Sequence, residues 1–89
     1  MTVSERLRVR VWVQDVWDHV TISADPEETV AEVKRRALTE ATGRTPDPDE
    51  YQIKFRGALM IDETRTLAQL GVPDRAPMIV LPAHRQPVR

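Results

Sequence analysis

The sequence contains no cysteine. That excludes a disulfide framework, a thiolate nucleophile and a cysteine-held zinc site. Glycine is scarce: Gly43, Gly57 and Gly71 stand far apart, so there is no glycine-rich phosphate loop. Aromatic residues make up 4% of the chain, as two Trp, one Tyr and one Phe. No apolar run approaches the ~18–20 residues of a membrane span, and no long apolar stretch follows MTVSERLRVR, so a signal peptide is not expected. A cytoplasmic location is the expectation. An excess of one charge sign is also missing: 13 Lys plus Arg against 14 Asp plus Glu give a formal net charge of −1. Such balance supplies no general pull toward nucleic acid or an acidic membrane. Of the basic residues only Lys34 and Lys54 are lysines, an arginine bias of the kind a GC-rich bacterial genome produces.

What is present suits one small folded domain: 89 residues, 40% hydrophobic and 30% charged. Leu7, Val9, Val11 and Val13 alternate with Arg6, Arg8, Arg10 and Trp12, the period of a strand with one wet face. After Gln14-Asp15-Val16-Trp17, a second alternation places Val20, Ile22 and Ala24 inward and His19, Thr21 and Ser23 outward. The pair reads as a β-hairpin with a loop of about four residues or more, since no Asn-Gly pair is present. Pro26 ends the strand. Thr29-Val30-Ala31-Glu32 reads as a capping box, and Val30, Val33, Ala37, Leu38 and Ala41 form one helical stripe that stops at Gly43. A helix is predicted over Val30–Thr42, with Glu32, Lys34, Arg35, Arg36 and Glu40 on its polar face. Tyr51, Ile53 and Phe55 predict a third strand, Gly57-Ala58 a turn, Leu59–Ile61 a short fourth strand, Thr66–Val72 one helical turn, and Met78–Leu81 a last strand. The order β-β-α-β-β-(short helix)-β predicts an α+β fold with the helix on one sheet face. The last strand is expected beside the first and parallel to it.

This order and four local motifs resemble the ubiquitin-like β-grasp family. Asp25-Pro26-Glu27-Glu28-Thr29-Val30, with Val33-Lys34, resembles the start of that family's long helix. Ile53-Lys54-Phe55-Arg56-Gly57 resembles its third strand and turn. Asp62 with Thr66-Leu67, Leu70, Gly71 and Val72 resembles its short helical turn, and Met78-Ile79-Val80-Leu81 its closing strand. The resemblance covers residues 7–82, with 1–6 expected as an N-terminal extension and 83–89 as a flexible C-terminal tail. It implies a mixed sheet with one long helix on one face. It further implies a non-catalytic module that binds another protein, without cofactor, nucleic acid or membrane, and a monomer when isolated. Family members in conjugation or sulfur transfer act through a terminal Gly-Gly that threads a narrow channel. Here the sequence runs out as Arg85-Gln86-Pro87-Val88-Arg89, with all glycines inside the domain, so a bacterial-type member of another kind is expected. The resemblance leaves three homes open: the ubiquitin-like component of a type VII secretion system, the β-grasp subunit of a multicomponent di-iron oxygenase, or a modifier activated without Gly-Gly.

The candidate site is the outer sheet face. Alternation turns Arg8, Arg10 and Trp12 outward on the first strand, Lys54 on the third, and Ile79 and Leu81 on the last, and the family's strand order brings them together. Lys54 stands where ubiquitin has a central aliphatic. Trp and Arg are residue types enriched at binding hot spots. Val16 and Trp17 either extend this patch or cap the edge of the core. His19 and His84 have no convergent partners and read as solvated or locally bonded rather than catalytic. Asp47, Asp49 and Glu50 read as a solvated turn, far short of a calcium loop. Arg35-Arg36 reads as a wet helix face balanced by Glu32 and Glu40.

Overall fold

A computed structural model describes residues 6–83. Strand β1 (Leu7–Val13) leads through a 3-10 turn (Gln14–Val16) to β2 (Asp18–Ala24), then to helix α1 (Val30–Thr42), β3 (Tyr51–Phe55), β4 (Ala58–Leu59), the single-turn helix α2 (Leu67–Leu70) and β5 (Pro77–Pro82). The sheet order is β2-β1-β5-β3-β4. β1 and β2 are antiparallel, with Val13 opposite Asp18, and β1 runs parallel to β5, with Trp12 opposite Ile79. β3 is antiparallel to β5, with Lys54 opposite Ile79, and β4 closes the far edge. The result is the α+β arrangement expected: a mixed sheet with one long helix on one face and a short helix before the last strand.

The core lies between the sheet and α1. Val9, Val11 and Val13 of β1 are fully buried, as are Val30, Val33, Ala37 and Leu38 of α1, Ile53 of β3, Leu67 of α2 and Val80 of β5. Two periods meet in one layer, every second residue of a strand and every third or fourth of a helix. α1 starts at Thr29, whose hydroxyl accepts the Glu32 N–H at 3.2 Å, and ends at Gly43, whose φ of 71° needs a residue without a Cβ. Its first two amides find carbonyls outside the helix: Val30 donates to Arg65 and Ala31 to Glu63, which ties the α2 segment to the helix start.

The structure corrects the sequence reading at several points. The full capping box belongs to α2, where Thr66 and Gln69 exchange bonds; at α1 the Glu32 carboxylate turns instead to Arg35. The hairpin between β3 and β4 turns on Arg56 and Gly57, with φ of 56° and 77°. Two positive φ values match the twist of a tight hairpin, so Ala58 opens β4 and Ile61 lies outside it. Arg36 is matched by Glu28, both of whose oxygens accept from Nη1 at 2.9 and 3.0 Å, rather than by Glu40. Arg6 donates to Ser23, and the Ala83 N–H donates to the Glu50 carbonyl; the expected bounds of the extension and tail are not tested by these bonds. Residues 84–89, with His84, lie outside the described residues, as do residues 1–5.

The largest departure is Lys34. It is 3% exposed rather than part of a polar face. Its ammonium sits 2.7 Å from a Glu63 carboxylate oxygen and donates to the Tyr51 carbonyl at 3.0 Å. The four-carbon stem is buried while the charged end finds two acceptors. Removing one member of such a pair leaves the other uncompensated, whereas an apolar replacement of similar shape leaves nothing unpaired. Glu63→Gln is therefore expected to lower stability by about 1–3 kcal/mol, and Lys34→Met by less than Lys34→Ala, all read from urea unfolding. Equal losses for Lys34→Met and Lys34→Ala would show that the stem's packing contributes nothing.

Two surface carboxylates are held below the usual carboxylate range: Glu32 chiefly by its hydrogen bond from Arg35, and Asp62 chiefly by the Thr64 hydroxyl and then the Thr64 amide. A folded pKa below the unfolded one means stability that is present above the unfolded value and lost as pH falls through the folded value. The acid-side loss of stability between about pH 5 and pH 2 is therefore expected to be shallower in Asp62→Asn than in the parent, measured by unfolding at stepped pH.

Candidate protein-docking face

The buried valines of β1 fix what the opposite face of the sheet presents. Because Val9, Val11 and Val13 point into the core, Arg8, Arg10 and Trp12 point out. The register then lines up His19, Trp12, Ile79 and Lys54 as one cross-strand row, with Thr21, Arg10 and Pro77 in the next and Leu81 beside Gln52 on the other side. The six expected residues thus share one face. Trp12, Ile79 and Lys54 are direct neighbours, Arg10 adjoins Trp12's row, Leu81 extends the β5 column, and Arg8 lies at the far end of β1. Arg8 and Arg10 are exposed, Trp12, Lys54 and Leu81 half-buried, and Ile79 is 43% exposed.

Charge is distributed unevenly over this surface. No outward position of β2, β1, β5 or β3 carries a carboxylate: these positions are Ser23, Thr21 and His19; Arg8, Arg10 and Trp12; Pro77, Ile79 and Leu81; Lys54 and Gln52. Among the described residues Arg8, Arg10 and Lys54 take part in no ion pair, whereas Arg6, Lys34, Arg35, Arg36, Arg65 and Arg75 do. The main chain of Arg8 is held by Asp74 at the rim of the face, whose carboxylate accepts the Arg8 N–H at 2.8 Å.

Trp17 belongs to this surface, not to the edge of the core. It is 76% exposed, and its ring meets that of Trp12 edge to face, centroids 5.9 Å apart and planes at 82°. Its backbone is left-handed, φ 54°, a conformation costly for a bulky side chain. The Trp17 N–H closes the 3-10 turn on the Gln14 carbonyl, and its left-handed backbone ends it. Trp12, His19, Pro77 and Ile79, together with Arg10 and the buried Met78, line a shallow depression of about 270 Å³. The sequence reading of the face includes neither His19 nor Pro77. A four-residue hairpin loop places His19 opposite Trp12 by counting alone, so the signal for His19 was present in the spacing.

The free edge of the sheet is less open than the face. Arg8 and Arg10 send their amides toward Asp74 and Ala76, so their β2 partners Ser23 and Thr21 turn main-chain groups outward to solvent. At one end the Asp18 carboxylate accepts the His19 N–H at 2.8 Å. At the other, Arg6 and Arg36 both donate to the Ser23 carbonyl, at 2.8 and 2.9 Å. Side chains occupying both ends of the edge oppose addition of another strand. Asp47, for its part, caps the 3-10 turn Pro48–Glu50 by accepting the Asp49 N–H; among the described residues no group of three or more His, Asp or Glu converges on a metal position. No helix among the described residues is long and apolar enough to cross a membrane.

The architecture is shared with solved structures. The ubiquitin of Caldiarchaeum subterraneum superposes with a TM-score of 0.74 at 18% identity, covering 91% of this chain and 98% of that one. The chain has the ubiquitin-like β-grasp fold. A ubiquitin-like domain of an Arabidopsis thaliana protein gives a TM-score of 0.72 at 18% identity over 94% of this chain and 84% of its own. ATBAG1, solved in complex with HSP70, gives 0.70 at 22% identity, over 85% of this chain and 40% of that one. No family model and no curated protein matches the sequence.

The left-handed Trp17 yields a prediction. Trp17→Gly removes the Trp12 contact, worth about 0.5–1.5 kcal/mol, but also relieves the backbone. Trp17→Ala removes the contact and keeps the strain. Trp17→Gly is expected to be nearly neutral and Trp17→Ala less stable than it by about 1 kcal/mol, read from thermal and urea unfolding.

Proposed function

We propose that residues 7–82 form a non-catalytic interaction module of the ubiquitin-like kind that docks another protein on its outer sheet face. Trp12, Ile79 and Leu81 are the apolar anchors, and Arg8, Arg10 and Lys54 steer an acidic partner. The observation that carries this reading is a pair of coincident facts. The cations of this face lack ion-pair partners among the described residues, while most of the others have them, and they surround a Trp and an Ile left partly in water. An exposed apolar cluster ringed by unpaired charge of one sign gives both buried area and orientation to a complementary surface. The fold adds a precedent, since ATBAG1, whose structure contains a superposable domain, was solved in complex with HSP70. With Lys54 at the centre of β3 where ubiquitin carries an aliphatic, surfaces that read ubiquitin itself are expected to bind weakly.

The test separates docking from folding. Trp12→Ala is expected to cost about 1 kcal/mol of stability, because the ring is half-buried, against the ~3–5 kcal/mol of a core aromatic truncation. Affinity capture from cells of the chain's own source, run with the parent protein and Trp12→Ala in parallel, is expected to lose its specifically retained proteins in the variant. Equal recovery by both proteins would sink the face as the docking surface, and a stability loss of several kcal/mol would move Trp12 into the core.

A further inference from the structure

We infer that the partner presents this face with an extended acidic segment in which one bulky apolar residue is flanked, two positions away on each side, by carboxylates. The inference rests on the outer-face reading and specifies the chemistry of its ligand.

Three features of the face fix the pattern. The depression of about 270 Å³ is lined by Pro77, Met78 and Ile79 of β5, Arg10 and Trp12 of β1 and His19 of β2. It is open to solvent, and its apolar walls suit a single branched or aromatic side chain. Trp17 braces Trp12 edge to face, so that wall is held in position rather than formed on binding. Arg10 and Lys54 then stand on opposite sides of β5. Arg10 lies opposite Pro77 and Lys54 opposite Ile79, so the line joining them crosses β5 at Met78, a residue that lines the depression.

Strand spacing turns this into a ligand length. Two strand separations and a two-residue advance put the Arg10 and Lys54 backbones about 12 Å apart. An extended chain covers that distance in about four residues and turns residues i, i+2 and i+4 to one side. One carboxylate then meets Arg10, the apolar residue drops into the depression, and the second carboxylate meets Lys54. Carboxylates at i and i+4 of a helix stand only about 6 Å apart, so this residue spacing reaches both cations only in an extended segment. The segment lies across the strands and needs no main-chain pairing, consistent with a β2 edge occupied at both ends by Asp18, Arg6 and Arg36. A short acidic peptide is favoured over nucleic acid because the cations are few and far apart, the chain's net charge is −1, and the Asp74 carboxylate at the rim repels a polyanion that runs past the face.

The experiment is an amide NMR titration of the full chain with three synthetic peptides: Gly-Ser-Asp-Ser-Leu-Ser-Asp-Ser-Gly, a rearranged peptide with both aspartates adjoining the leucine, and one with serine in place of leucine. The first is expected to shift the amides of Arg10, Trp12, Met78, Ile79 and Lys54 and to bind at least five-fold more tightly than either control. Arg10→Glu and Lys54→Glu, each checked by its dispersed amide spectrum, are each expected to weaken it ten-fold or more. Equal binding of the rearranged peptide on the same amides overturns the spacing and leaves the docking face standing. Shifts confined to α1 or β2, or none at millimolar peptide, overturn the inference, as does tighter binding of a thymidine octanucleotide to the same amides. The docking face itself is judged separately by the Trp12→Ala capture.

Discussion

The constraint on which everything else depends is the burial of alternate β1 residues under α1. β1 is paired on both sides, with β2 and with β5, so it cannot slip without breaking two ladders at once. Its period is two, and a one-residue slip would send Val9, Val11 and Val13 to water and three charged or aromatic side chains into the core. Burying arginine without a partner is prohibitively costly. The valines therefore choose the register, and the register places Trp12 beside Ile79 and Ile79 beside Lys54. The chemistry of the outer face follows from hydrophobic burial on the other side of the same strand.

Elements with a strong period were legible in the sequence to their ends. Helix α1 occupies Val30–Thr42 because Thr29 and Gly43 bracket a stripe that no other pattern fits, and β1 shows its alternation without interruption. What the sequence hid depended on distant partners. Lys34 reads as a surface residue in its own helix, flanked by Glu32, Arg35 and Arg36. Only the approach of Glu63 and the Tyr51 carbonyl, from segments that follow β2 and α1 by many residues, makes its burial affordable in free energy. The Arg36 pairing failed to show for the same reason: Glu28 lies before the helix, at a spacing outside the i, i+4 rule. Trp17 was undecidable by pattern because a left-handed residue after a 3-10 turn belongs to neither period. The six outer-face residues were legible because each sits inside a regular strand.

The two sides of the molecule are coupled through α1. Its start receives carbonyls from Glu63 and Arg65 and its body holds Lys34 against Glu63, so the α2 segment is anchored to the helix by both main chain and charge. Its other flank is anchored to β2 by Arg36, which joins Glu28 to the Ser23 carbonyl. Arg36 thereby acts twice: it ties helix to sheet, and it occupies an acceptor on the free edge that another strand would use. A guard that is also part of the scaffold cannot be displaced cheaply, because leaving Ser23 disturbs the pairing with Glu28.

The distribution of charge completes the argument. A net charge of −1 conceals an asymmetry: on the helix side the acids Glu28, Glu32 and Glu63 are engaged with Arg36, Arg35 and Lys34, while on the sheet side Arg8, Arg10 and Lys54 have no such partners among the described residues. For the acidic partner proposed, such a distribution favours approach to the sheet side before contact. In the proposed docking, the rate and the face of encounter are set by the same three cations, and the short-range selection by Trp12, Ile79 and the depression they line. Steering by few charges acts only within about 8–10 Å at physiological ionic strength. In the proposed docking it therefore discriminates between faces of this small domain without attracting every polyanion in solution, and apolar complementarity decides which acidic surface stays.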